Sequence, residues 1–330
     1  MAFGPLYQSL PKGKDESMAQ PTATVFGGSG FIGRYIVQRL ARRGWILRIA
    51  VRRPDEALFL KPLGDVGQIT PVAANIRDER SVTAASAGAE AVINLIGILY
   101  ERRAQRFAAV HAQGAQRVAR AVQRAGAARL LHFSALGADP QSPSAYARSK
   151  AEGEALVREA FPSAVILRPS IVFGPEDDFF NRFAEMARFS PVLPLIGGGH
   201  TRFQPVYVSD VADAAVSALE TPAAAGKTFE LAGPRIYSFR QLMELLLAEI
   251  GRRRILLSLP WSIARMQARA LELLPRPPLT TDQLKLLERD NVASGQFPGC
   301  AELGIQPTGL DAILPTYLDR FRIGGPFARG

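Results

Sequence analysis

The chain has 330 residues, of which 47% are hydrophobic and 21% charged, a globular profile that excludes disorder over most of its length. That length suits two domains, or one large domain with a lobe, and needs neither disulfides nor metal to fold. The net charge is +10, and only six of the 40 basic residues are lysine, so an arginine-rich surface is open to phosphates, nucleic acid, anionic lipid or an acidic protein.

Residues 1–20 carry Gly, Pro, Ser and mixed charge with no apolar core of signal-peptide type. They are expected to form a mobile tail, with Met18 an alternative start. From Ala23 the pattern becomes regular. Residues 23–26 read as a short apolar strand, 31–43 as an amphipathic helix closed by Gly44, and 46–51 as a strand with a basic end, Arg52-Arg53. Residues 68–74 and 91–96 are further apolar runs of strand length. Residues 107–124 read as a helix ending before Gly126, and 129–133 and 164–167 as strands with a helix over 145–160 between them. Strands alternating with helices predict a parallel, doubly wound sheet.

After Pro169 the rhythm changes. Gly174-Pro175 and Gly197-Gly198-Gly199 are loop signals, 206–219 reads as a strand end plus helix, and 228–231 as a last strand. From Pro234 onward the chain reads as helical and proline-interrupted, without internal repeats. No apolar run reaches the ~18 residues expected of a membrane span. The one cysteine, Cys300, cannot form an internal disulfide, and the three histidines have no zinc-like spacing. No metal site is expected.

The first strand runs into Gly27-Gly28-Ser29-Gly30-Phe31-Ile32-Gly33. Gly27 permits a tight turn, Gly30 lets backbone approach a pyrophosphate, and Gly33 lets the helix pack close to the sheet, with free N–H groups of the helix N-terminus facing the phosphates. Placement between a strand and a helix makes Gly27, Ser29, Gly30, Phe31, Ile32 and Gly33 cofactor-binding candidates; a ligand-free turn is the other reading. The fold class expected is α/β, a Rossmann-type doubly wound parallel sheet with a smaller, mostly helical C-terminal lobe. The nucleotide-binding domain is expected over 21–174, with 205–233 returning to it, and the lobe over 175–204 and 234–330. NAD sites place an acid at the end of the second strand. Here Arg52 and Arg53 stand there, and guanidinium groups suit a 2′-phosphate, which favours NADP(H). Solvated arginines facing another protein are the alternative.

With Tyr146-x-x-x-Lys150 and Arg168-Pro169 followed by Phe173-Gly174-Pro175, the chain resembles the short-chain dehydrogenase/reductase superfamily, extended or atypical branch. The block 132–138, the block 146–154, the long run 168–182, Gly197 to Gly199, 203–208 and Asp210-Val211-Ala212 narrow the likeness. They resemble the group of the NADPH-binding accessory subunit of respiratory complex I (NADH:ubiquinone oxidoreductase) and its bacterial relatives. The resemblance implies that Tyr146 exchanges a proton, that Lys150 lowers its pKa and holds the nicotinamide ribose, and that a serine orients a substrate carbonyl. Ser134 is the first position of the family's serine run; Leu136 stands third, where the acting serine is expected if it is the third. Asn75 and Ile76 match an adenine contact, with a strand cap as the alternative. Ile96 and Gly97 lie beside the cofactor path, and Pro169 and Ile171 present backbone to the nicotinamide. His111 and His132 read as packing residues.

Three functions stay open: a structural complex I subunit holding NADPH, a free NADP-dependent reductase or epimerase acting on a hydrophobic substrate such as a quinone precursor, and a redox-sensing scaffold. The resemblance implies other complex I subunits as partners, no nucleic acid, and a peripheral place on the cytoplasmic face of a bacterial inner membrane or the mitochondrial matrix face. Residues 252–276 carry arginines 252, 253, 254, 265, 269 and 276 against one acid, Glu272. A helix opened by Pro260, with Trp261 as an interfacial anchor, suits an anionic membrane surface or a partner groove.

Overall fold

The computed structural model describes residues 20–275 and 277–325. Apart from Gln20, the tail expected over 1–20 lies outside them, as do Arg276 and 326–330. The first half alternates β1 (Thr22–Phe26), α1 (Phe31–Arg42), β2 (Ile46–Val51), β3 (Ile69–Ala73), α2 (Glu79–Ser86), β4 (Ala91–Asn94), α3 (Gln113–Ala125), β5 (Arg129–Phe133), α4 (Ala145–Ala160) and β6 (Val165–Pro169). Then come β7 (Val172–Phe173), α5 (Phe180–Phe189), β8 (Val192–Ile196), β9 (Arg202–Phe203), β10 (Val206–Tyr207), α6 (Val208–Glu220) and β11 (Thr228–Leu231). The last elements are β12 (Tyr237–Ser238), α7 (Phe239–Glu249), β13 (Ile255–Leu259), α8 (Trp261–Leu271), α9 (Thr281–Leu287) and α10 (Leu310–Leu318).

Seven strands form one sheet in the order β11-β6-β5-β4-β1-β2-β3, every pair parallel. Its strands are apolar on both faces because both faces are covered. Ile36, Val37 and Leu40 of α1 and Val211 and Ala215 of α6 pack on one side with Val25, Ile49 and Leu167. Val82 of α2, Val118 and Val122 of α3 and Val157 of α4 pack on the other with Phe26, Val92 and Leu130. The chain reverses direction across the sheet between β1 and β4, and a crevice opens at their carboxyl ends. Gly27 follows β1 there, and the turn 95–97 follows β4.

A smaller core lies away from the sheet. Phe173, Phe180, Phe203 and Phe239 meet α7 and α10 through Leu242, Leu246, Leu314 and Leu318. Two features depart from the sequence reading. The region beyond Pro234 is not wholly helical: β13 pairs in parallel with β8, Ile255 opposite Val192 through Leu259 opposite Ile196. An apolar run of that length has no period to separate strand from helix. Residues 300–305, expected in the lobe, instead pack on the sheet side, where Cys300 and Leu303 join the core under α6 and Ser217 Oγ donates to the Leu303 carbonyl at 2.7 Å.

Trp261, read as an interfacial anchor, packs its ring against the Gly197 backbone. It is half-buried, and a Cβ at Gly197 would stand 2.3 Å from its ring. Only Ala264 and Ala268 of α8 are buried, packed on Leu284 of α9. Among the described residues no helix is long and apolar enough to cross a membrane.

Candidate functional site

The glycine loop is built by backbone contact. Gly27 has φ +79°, a conformation that glycine adopts without strain, and its N–H donates to the Ala50 carbonyl at 3.2 Å. A Cβ on Gly33 would lie 2.5 Å from the Gly27 oxygen and 2.7 Å from Gly28 Cα, so no side chain fits. Gly30 caps α1 from an extended conformation and is exposed, leaving the first amides of α1 for an anion. Ser29, Phe31 and Ile32 are partly exposed along the same turn.

At the end of β2, Arg52 and Arg53 are both exposed. Arg53 forms an ion pair with Glu56, whereas Arg52 has no ion-pair partner among the described residues. The strand-cap reading applies to Asn75, whose Oδ1 accepts from the Arg77 N–H at 3.1 Å. Ile76 is buried, with Cγ1 3.0 Å from where a Gly114 Cβ would stand. Asn75 Nδ2 and the backbone of the pair remain for a ligand.

Lys150 and Tyr146 project from α4 one turn apart. Lys150 is buried and donates to the Phe133 carbonyl at 3.1 Å. Burial lowers its pKa to about 8, with the Glu154 carboxylate one turn on opposing the shift. Burial raises the Tyr146 phenol to about 12. Its ring stands edge-on to Phe107 and His111, at centroid distances of 5.8 and 5.3 Å, and the Lys150 ammonium lies 6.0 Å from its centroid.

His111, expected to be only a packing residue, ties the crevice together. Its Nε2 accepts from the Ile98 N–H at 2.9 Å. The ring is therefore neutral with its hydrogen on Nδ1, which donates to Ser149 Oγ at 2.9 Å; Ser149 in turn donates to the Tyr146 carbonyl at 2.7 Å. His111 belongs to a π-turn over Ala108–Ala112, a distortion that recurs at functional sites. A Cβ on Gly153 would meet its carbonyl oxygen at 2.3 Å, so α4 packs directly on this turn. Gly97 lies over both groups, its missing Cβ 3.4 Å from Lys150 Nζ and 3.6 Å from His111 Nε2.

On β5, His132 Nδ1 accepts from Asn94 Nδ2 at 3.2 Å, which places its hydrogen on Nε2. That atom and Ser134 Oγ are buried without a partner. Leaving such groups unmade costs about 1–3 kcal/mol each, and a polar ligand reaching Ser134 Oγ would answer that one. Leu136 is buried, and its N–H donates to the Pro169 carbonyl at 3.0 Å. The third position of the serine run thus offers no hydroxyl. Ile171 donates its N–H to Asn291 Oδ1 at 3.2 Å, and Asp282 receives the first amides of α4. Sequence reasoning missed both partners; the Thr280-x-x-Gln283 capping box was the available signal that α9 begins there. A cavity of ≈ 400 Å³ beside Ala145 is lined by Tyr100, Arg102, Phe107 and Leu274 among others. A glycine cradle, a buried lysine and unanswered buried donors fit a dinucleotide.

Residues 23–232 match Epimerase, the NAD dependent epimerase/dehydratase family. NADH dehydrogenase (ubiquinone) 1 alpha subcomplex subunit 9, mitochondrial, of Arabidopsis thaliana is 37% identical over 326 residues, covering 95% of this chain and 81% of that protein. The Mus musculus protein of the same name is 39% identical over 314 residues, covering 94% and 83%. Among solved structures, DesIV, a dTDP-glucose 4,6-dehydratase from Streptomyces venezuelae with NAD and TYD bound, aligns with a TM-score of 0.69 at 19% identity over 91% of this chain and 96% of that one. That likeness shows the fold.

The two buried histidines contribute to the response to acid. Burial lowers the pKa of His111 to about 2 and that of His132 to about 3, from 6.5, with the Lys150 charge adding to each. Below pH 6.5 the unfolded chain therefore binds protons that the native chain does not. Their contribution to stability is complete above that pH and is lost as pH falls, by about 1.4 kcal/mol per pH unit for each ring. Chemical denaturation between pH 7 and 5 is expected to show a shallower loss in His132→Gln than in wild type. Parallel curves would contradict the assignment.

Proposed function

The chain belongs to the NAD dependent epimerase/dehydratase family and, within it, to the family of NADH dehydrogenase alpha subcomplex subunit 9, and on that premise we propose that it is an accessory subunit of respiratory complex I that holds NADPH structurally. The carrying observation is Leu136. The Tyr146–Lys150 pair that grips a nicotinamide ribose is intact, but the third position of the serine run holds a buried apolar side chain. Binding needs the first feature and steady carbonyl chemistry needs both.

When bound, the nucleotide would supply hydride chemistry, but the role read here is that of a ligand which stabilises the native state. The glycine loop and the N-terminus of α1 hold the pyrophosphate. Lys150 and Tyr146 hold the nicotinamide ribose, and Ser134 Oγ and the Pro169–Ile171 backbone line the far end. Arg52 is the 2′-phosphate ligand, because Arg53 is already engaged by Glu56. Partners are other complex I subunits, on the cytoplasmic face of a bacterial inner membrane or the mitochondrial matrix face.

Docking falls to the segment after β8. Met266 and Leu273 are 67% and 87% exposed, and Ile255 and Leu257 of β13 are 65% and 53% exposed. Such apolar exposure marks an interaction surface. Its arginines are not equivalent. Arg265 pairs with Glu288 at 2.5 Å, Arg252 donates to the Phe321 carbonyl and Arg254 to that of Ala187. Arg253 and Arg269 have no partner among the described residues and remain for an acidic partner or anionic lipid.

Arg52→Ala is expected to weaken NADPH about tenfold or more, the worth of a charge-assisted hydrogen bond, and to leave NADH nearly unchanged in equilibrium titrations. Equal losses for both nucleotides would refute the 2′-phosphate assignment. Reversing Arg253 and Arg269 to Glu is expected to reduce co-sedimentation with anionic vesicles in low salt and spare nucleotide binding, since each arginine near such a surface contributes only about 1 kcal/mol. Unchanged co-sedimentation would exclude these arginines as the lipid contacts.

A further inference from the structure

One stretch of chain, 282–291, reaches three separate parts of the nucleotide site without belonging to the sheet. Asp282, on the first turn of α9, accepts from the backbone N–H groups of Ala145 and Tyr146 at 2.7 and 3.0 Å and from Ser144 Oγ at 2.8 Å. Arg289 pairs at 2.9 Å with Asp139, in the loop that follows Ser134. Asn291 Oδ1 accepts from Ser170 Oγ at 2.7 Å and from the Ile171 N–H at 3.2 Å. The three contacts fall on the helix turn that carries Tyr146, the loop after β5 and the loop after β6.

The same stretch also anchors α8. Ala264 and Ala268, the buried residues of that helix, lie on Leu284, and Arg265 pairs with Glu288. Most of the remaining surface of α8 is exposed.

We propose that Asp282 is a positioning residue for the nucleotide site, through which nucleotide occupancy and attachment of the α8–α9 segment to the rest of the fold are coupled. This rests on the nucleotide reading given above. Ser144 already caps α4 by accepting from the Ala147 N–H at 3.3 Å. The two amides before it have only Asp282. A carboxylate there also meets the positive end of a 16-residue helix dipole. Without it the first turn of α4 frays, and Tyr146 lies in that turn. Conversely, a nucleotide that fixes Tyr146 and the backbone at Ile171 fixes the donors on which Asp282 and Asn291 dock. Whatever grips α8 then strengthens nucleotide binding, and nucleotide strengthens that grip by the same factor.

Hydrogen exchange of the full chain, with and without saturating NADPH, tests this in wild type, Asp282→Ala and Asp282→Asn. In wild type NADPH is expected to protect peptides over 27–33 and also over 261–271 and 281–291. In Asp282→Ala the affinity falls about tenfold, within the range of ordinary coupling. Saturating NADPH still protects 27–33 but no longer 261–291. Asp282→Asn, which keeps one acceptor oxygen, falls between. Protection of 27–33 alone in wild type overturns the coupling and leaves the nucleotide reading standing, as does an Asp282→Ala protein with wild-type affinity and protection. A wild type in which NADPH protects nothing overturns the nucleotide reading and the coupling with it.

Discussion

Lys150 keeps its ammonium group sealed against β5, with the Phe133 carbonyl as acceptor, and much of the surrounding structure follows from the cost of placing a charge there. Glu154, one turn along α4, is the nearest compensating charge. It is itself held by Arg168 through two contacts of 2.8 and 2.6 Å, and Arg168 also reaches Glu230 on β11 at 4.0 Å. The lysine is thus the inner end of a charge chain running from α4 across β6 to the sheet edge. Keeping it in register requires α4 to be fixed along its length. The Gly153–His111 backbone contact fixes its middle, Arg168 its second half and Asp282 its N-terminus.

The parts of this arrangement that could be read in the sequence are those in which local chain geometry dictates residue type. At Gly33 the backbone of the preceding turn leaves no room for a Cβ, so the glycine spacing carries the fold and the phosphate site together. Tyr146 and Lys150 are four apart on a helix, and their common face follows from its pitch. His111 reads in the sequence as a packing residue, because its role depends on the π-turn and on Ser149, which no periodicity announces. Asp282 and Asn291 act on residues more than 115 positions earlier in the chain, and hydrogen bonds at such separation leave no local pattern. The strand β13 was read as part of a helical region because five mostly apolar residues fit either element, and what decided it was the free edge of β8.

The proposed structural role rests on a site that keeps the groups for binding and lacks one hydroxyl of the serine run. Burial holds Tyr146 as a neutral phenol and leaves Lys150 only partly charged near pH 8, and Leu136 removes a hydroxyl from the substrate end. Under the proposed reading a bound dinucleotide would give Ser134 a partner and join the glycine loop, α4 and the loop after β6 into one unit. That role fits membership of the subunit 9 family, in a chain where β13, α8 and the residues just beyond it expose Ile255, Leu257, Ile263, Met266, Leu273 and Leu274.

The account is tested most directly by isolating the native assembly from its own membranes under mild conditions and identifying, by mass spectrometry, the nucleotide released from this chain and the proteins that travel with it. About one NADP(H) per chain is expected, recovered with complex I subunits. A chain recovered alone, or one that carries NAD(H) or no nucleotide while assembled, would contradict it.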